Sequence, residues 1–143
     1  MKDIKLTNNF TLSEMCHTNS GITNEPNLIQ VSKLLSLCTK LLQPVRELFN
    51  SDMHINSGFR CEAVNTHEGG AITSQHLKGE AADINTYDNA KLFHLIKDNF
   101  EFDQLIWEKG TPKQPAWVHV SYSETHNRKQ VLIYKDGKYI PYV

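Results

Sequence analysis

Between Leu28 and about Asn50, apolar side chains recur at Leu28, Val31, Leu34, Leu35, Leu37, Cys38, Leu41, Leu42, Val45, Leu48 and Phe49. Steps of three and four place them on one wide face of a helix, which predicts the principal core helix. Leu34, Leu35, Leu37, Leu41 and Leu42 are its expected core stripe. Pro44 lies inside this run. It lacks an N–H and its ring crowds the preceding turn, so a kink or a division into two helices is expected. A second amphipathic helix is predicted over Asp88–Phe100, capped by Asp88 or Asn89, with Leu92, Phe93, Leu95 and Ile96 inward. Strand candidates are His54–Ser57, Ala81–Asn85, Phe102–Glu108 and Trp117–Tyr122. Val131–Tyr134 and Lys138–Ile140 flank Asp136-Gly137, a strong hairpin signal. The first 27 residues are polar and irregular, apart from a capped turn at Thr11-Leu12-Ser13-Glu14 and a turn at Asn24–Asn27 leading into the long helix. Glu62–Asn65 reads as a helical turn, and Glu68–Ala71 and Lys109–Pro115 as loops. Helices come first and short strands follow. The expectation is a single α+β domain over residues 1–143, with N-terminal helices packed on a small antiparallel sheet.

Composition narrows the function classes. The 143 residues carry a formal net charge of −1 and no run of Lys and Arg, so neither nucleic acid nor an anionic membrane is an expected partner. No apolar run approaches a membrane span. The opening stretch MKDIKLTNNFTL lacks the apolar region of a secretory signal, so synthesis in the cytoplasm without an export signal is expected. Cys16, Cys38 and Cys61 are odd in number and widely spaced, which favours free thiols over a disulfide framework or a CxxC metal site. A monomer is expected.

The chemistry concentrates in Ser74-Gln75-His76-Leu77-Lys78-Gly79-Glu80-Ala81-Ala82-Asp83. His76 and Asp83 offer a nitrogen and an oxygen ligand, and Gly79 permits a turn between them. Asp83 stands in an otherwise apolar strand, where a buried carboxylate needs a partner such as a metal. Trp117-Val118-His119-Val120-Ser121-Tyr122 supplies a third ligand candidate, His119; alternation puts Trp117, His119 and Ser121 on one face. Three ligands with a fourth position left open is the pattern of a catalytic zinc site. If the strand ending at Glu108 pairs with the one holding His119 across the Lys109–Pro115 loop, Glu108 lands near the metal. There it can accept a proton from the attacking water and pass it to a leaving amine. Glu80 is the competing base. Arg60, in Ser57-Gly58-Phe59-Arg60, is the candidate cation for a substrate carboxylate or for the oxyanion of the tetrahedral intermediate. Ser74, Gln75 and Trp117 are candidate substrate contacts; Ser74 can equally cap the turn, and Trp117 can be a pocket wall.

These residues resemble the zinc D-Ala-D-Ala carboxypeptidases and the related L-Ala-D-Glu endopeptidases of peptidoglycan. The family pattern S-x-H-x-x-G-x-A-x-D is met by Ser74, His76, Gly79, Ala81 and Asp83. SGFR with Arg60 matches an SGYR-like family segment, and WVH with His119 matches the final histidine in its aromatic-rich strand. FTLSEM near the start and LLQPVRE at the helix end are also similar to the family. The resemblance runs from about Phe10 to Tyr122. It implies a hedgehog/DD-peptidase fold, a Zn²⁺ cofactor on His76, Asp83 and His119, and a peptidoglycan stem peptide as substrate.

One departure concerns the base. Well-known members place a glutamate three residues before the last histidine, where this chain has Ala116. The resemblance is to a subgroup that uses a glutamate on the preceding strand, which points to Glu108. The alternative is a non-catalytic module that keeps the fold and the zinc as a wall-binding or virion structural part. The enzyme reading implies carboxypeptidase or endopeptidase action on the wall after release, or from a virion, in the manner of a phage lysin. The residues do not decide which bond is cut.

Overall fold

In the computed structural model, which describes residues 3–143, the chain opens on a short hairpin, β1 (Lys5–Thr7) and β2 (Phe10–Thr11). The polar, irregular pattern of this stretch carries no strand signal, and the hairpin is a correction to that expectation. It leads into α1 (Leu12–Met15), whose N-cap Thr11 and Glu14 bond reciprocally in a capping box.

The long helix follows. Asn27 and Gln30 form a second capping box at the start of α2 (Leu28–Leu37). Just before Pro44 the α-helix gives way to a π-helical segment, Cys38–Leu42, which stands between α2 and α3 (Gln43–Phe49) without a break in the chain of helical turns. The Gln43 N–H bonds the Cys38 carbonyl, five residues back. One extra residue in the turn gives the proline ring room against the preceding carbonyls, and Pro44 falls in the first turn of α3, where a missing N–H is cheapest. Asn50 in the left-handed region ends the helix. Leu34, Leu37, Cys38, Leu41, Leu42 and Val45 are fully buried, but Leu35 lies outside the core stripe at 45% exposure, and Leu28 and Leu48 also face solvent.

Six strands form the main sheet: β3 (His54–Ser57), β4 (Ala81–Asn85), β5 (Gln104–Glu108), β6 (Trp117–Ser121), β7 (Gln130–Lys135) and β8 (Lys138–Pro141). Their order is β3-β4-β6-β5-β7-β8. α4 (Glu62–His67) follows β3, and α5 (Asn89–Asn99), capped by Asp88, connects β4 to β5. The sheet is mixed rather than wholly antiparallel, because β5 and β7 pair in parallel. β6 returns antiparallel to β5, so the chain that leaves β6 and crosses β5 to pair with its far edge runs parallel to β5. The crossing is fastened by backbone bonds from Lys129 to Phe102 and from Gln130 to Asp103, and by Arg128 on the Asp103 carboxylate.

Alternation sorts the two faces of the sheet. Ile55, Ala82, Ile84, Leu105, Trp107, Val118 and Val120 join the helices in the core. Asp83, His119 and Glu108 fall on the opposite face. The described residues contain no helix long and apolar enough to cross a membrane.

Candidate metal centre

Three backbone devices deliver the polar groups. Asp83 and His119 are register partners on β4 and β6, so their side chains rise from adjacent points on one face. Ser57 pairs with Asp83 on the other side, from β3. His76 comes from a 3₁₀ turn, Gln75–Lys78, whose cap is Ser74: its hydroxyl accepts the His76 N–H at 3.2 Å. The turn ends at Gly79, with φ of 76°. A Cβ there would stand 2.7 Å from the Gln30 carbonyl oxygen, so glycine is required by conformation and by the close pass of α2.

The imidazoles meet on the carboxylate. His119 Nδ1 lies 3.0 Å from Asp83 Oδ1, and His76 Nε2 lies 3.3 Å from Asp83 Oδ2. The three candidate ligand atoms lie within 4.8 Å of one another. Ligand bonds of ~2.1 Å at tetrahedral angles separate ligand atoms by about 3.4 Å, so a small shift of these side chains closes them on one ion. His76 Nδ1 donates to the Gly58 carbonyl at 2.6 Å, which fixes the ring with Nε2 aimed at Asp83 and the site. Two nitrogens and one oxygen, all from rigid elements, suit a divalent metal with an open position.

Asp83 is almost wholly buried. Burial alone would raise its carboxyl, but His76 and then His119 outweigh it and hold the carboxyl well below the usual range. Arg60 adds a third partner: Nη2 reaches Asp83 Oδ2 at 3.1 Å, Nε donates to Ser57 Oγ, and Nη1 to Asn65 Oδ1.

Glu108 pairs with Trp117 across β5 and β6, one step along the same face from the Ile106–His119 pair. It is 7% exposed. Burial raises its carboxyl to about 7, with His119 opposing the rise and Asp83 adding to it. The carboxylate beside the triad is therefore one that exchanges protons near neutrality.

The match to known families covers residues 8–121, under the description Peptidase M15. The chain belongs to the peptidase M15 family. No curated protein matches it. Family membership and the His/Asp/His triad together make this M15 protein a metallopeptidase by type.

Most residues singled out from the sequence come together in this M15 site: His76, Asp83, His119, Arg60 and Glu108 share it. Trp117 flanks Glu108 on the same face, with Lys109 Nζ 5.6 Å over its ring. Gln75 turns elsewhere, donating from Nε2 to Asp103. Glu80, the competing base, lies on a separate groove of about 640 Å³ with Gln75, Lys33 and Arg128. The charges that bear on it are Lys33, Lys78, Asp103 and Glu124, not the imidazoles.

Three residues of the M15 site escaped the sequence reading. Ser57 and Asn65 hold Arg60. The Asn24 amide donates to the Cys16 and Phe59 carbonyls and accepts the Cys61 N–H, clamping the segment that carries Arg60. Only Ser57 had a local signal, its place in the SGFR segment.

Proposed function

We propose that this chain is a zinc peptidase that hydrolyses an amide bond in the stem peptides of peptidoglycan. The observation that carries this is the His76/Asp83/His119 triad with the buried Glu108 carboxyl on the same sheet face, one register step along from His119. His76, Asp83 and His119 would hold the zinc, which supplies a Lewis acid and an activated water. Glu108 takes the proton of the attacking water as a general base and returns it to the departing amine as a general acid. Arg60 keeps two N–H groups beyond those bonded to Ser57, Asn65 and Asp83, enough to take a substrate carboxylate or the developing oxyanion. Carboxypeptidase and endopeptidase action share this chemistry. They differ in whether the substrate ends at the released amino acid. A lysin-type role, acting on the wall after release or from a virion, belongs to the same proposal.

The rival, a wall-binding or virion module without turnover, drew its support from Ala116. Glu108, on the neighbouring strand and the same face as His119, supports the enzyme reading by offering a carboxyl in place of that glutamate.

The test is incubation of the purified, zinc-loaded protein with muropeptides, with new amines read by mass spectrometry beside Glu108→Ala and His119→Ala. Cleavage by the wild type and its loss in both variants are expected. No cleavage of any stem peptide with zinc in excess would overturn the enzyme reading.

A further inference from the structure

The family match ends at residue 121, yet the sheet continues through β7 and β8. These strands are the neighbours of β5 on the side away from His119. Their register sets one row of side chains across four strands: Trp117 opposite Glu108, Glu108 opposite Tyr134, Tyr134 opposite Tyr139. All four share the face of the metal ligands. The hairpin that makes this possible turns on Asp136 and Gly137, at φ of 52° and 75°, the left-handed pair a tight hairpin needs.

The two tyrosine rings touch, with centroids 4.5 Å apart at 48°. Tyr139 is 58% exposed. Neighbouring strands lie about 4.8 Å apart, so the pair begins one strand beyond Glu108 and rises beside it. An edge strand needs protection, but Lys138 and Pro141 already serve that purpose on β8. A tilted tyrosine pair with one ring exposed, beside the buried Glu108 carboxyl, is not accounted for by core packing.

The proton route assigns this wall to one side of the substrate. Glu108 protonates the departing amine, so the nitrogen leaves on the β5 side of the site. Arg60, Ser57 and Asp83 occupy the β3–β4 side. Whatever is bonded to that nitrogen extends over β7 and β8.

We propose that Tyr139, backed by Tyr134, is a specificity-determining contact for the leaving-group side of the peptide; the proposal rests on the peptidase reading above. A flat aromatic face, amphipathic and with few rotamers to lose, suits a peptide backbone and its apolar side chains. The phenol also stays neutral: burial, then the charges of Glu108, Tyr134 and Asp83, raise its pKa.

The test uses the full zinc-loaded chain and two peptides with the same scissile bond. One ends at the first residue after the bond, and the other extends by several residues. Tyr139→Ala is expected to lower kcat/KM for the extended peptide about 5- to 10-fold, mainly through KM, so that the preference for the longer peptide collapses. Tyr139→Phe should retain the preference. Ile140→Ala, on the other face of β8, should match the wild type. Isothermal titration of the extended peptide into Glu108→Gln, with and without Tyr139→Ala, should show the same weakening in Kd. If the wild type cleaves both peptides and Tyr139→Ala keeps the wild-type preference, the inference is overturned and the peptidase reading stands. If the wild type cleaves neither peptide and Glu108→Gln binds neither, the peptidase reading falls and takes the inference with it.

Discussion

Glu108→Gln should make this protein more stable and less active, and the gain in stability should depend on pH. The side chain is 7% exposed and its carboxyl is pushed from 4.5 to about 7, first by burial. At 1.36 kcal/mol for each pH unit, ionising it in the folded protein costs about 3 kcal/mol more than in the unfolded chain, an upper bound because local relaxation and water reduce it. The direction follows from proton binding. Between about pH 4.5 and 7 the folded state holds this proton more tightly than the unfolded state, so the contribution to stability is full below 4.5 and lost as pH rises to about 7. Glutamine keeps the shape and removes the ionisation. Relative to wild type, Glu108→Gln should gain about 2–3 kcal/mol near pH 8 and far less near pH 5.

Urea unfolding at a series of pH values measures this, with both proteins held metal-free by a chelator because a bound cation would favour the carboxylate. Titrating groups that do not interact with Glu108 cancel in the difference between the two proteins. A difference that stays flat from about pH 5 to 8, or a variant less stable than wild type near pH 8, would refute the claim that burial raises Glu108. The same substitution should lower kcat/KM about 10²- to 10⁴-fold on any stem peptide the wild type cleaves, since glutamine cannot carry the proton.

Other expectations test the supports around that carboxyl. Zinc should raise the Tm of the wild type with a one-to-one endpoint, and His119→Ala should lose that rise; an equal rise in the variant would place the ion elsewhere. Arg60→Ala should weaken zinc binding about 10- to 100-fold in a competition with a chromophoric chelator, because Arg60 orients Asp83 through a 3.1 Å bond. Unchanged affinity would show that Asp83 needs no such hold. Gly79→Ala should destabilise by about 2–4 kcal/mol in thermal or urea unfolding, from the left-handed backbone and the 2.7 Å clash with the Gln30 carbonyl. A loss under about 0.5 kcal/mol would mean that α2 moves aside freely.

What the sequence reveals, and what it hides, divides along a physical line. Metal ligands must be of a few chemical types, and Asp83 among alanines or His119 in an alternating strand departs from its surroundings by type alone. Glu108 was legible for a different reason: β5 and β6 are joined by a short loop, so their pairing follows from adjacency in the chain. Pro44 shows the opposite case. Its conflict with the helix was visible, but its resolution by a π turn depends on how the core holds Leu41, Leu42 and Val45 on both sides of it.

Strand order is hidden more deeply, because it is not a property of any strand. The sequence patterns of β7 and β8 announce a hairpin and its turn, and they are the same whether that hairpin pairs with β6, with β5, or with neither. The choice is made where the strands begin: Arg128 on both oxygens of Asp103, with the Lys129 and Gln130 amides on the Phe102 and Asp103 carbonyls. Asp103 is 4% exposed, and the Arg128 bonds hold its carboxyl down at about 2, so the clasp stays charged over the whole range in which the protein would work. That clasp brings β7 alongside β5 and so sets Tyr134 and Tyr139 beside Glu108. The proposed aromatic contact is thus positioned by an ion pair at the far end of the paired strands, a dependence that neither the tyrosines nor Glu108 and the candidate metal ligands display in their own stretch of sequence.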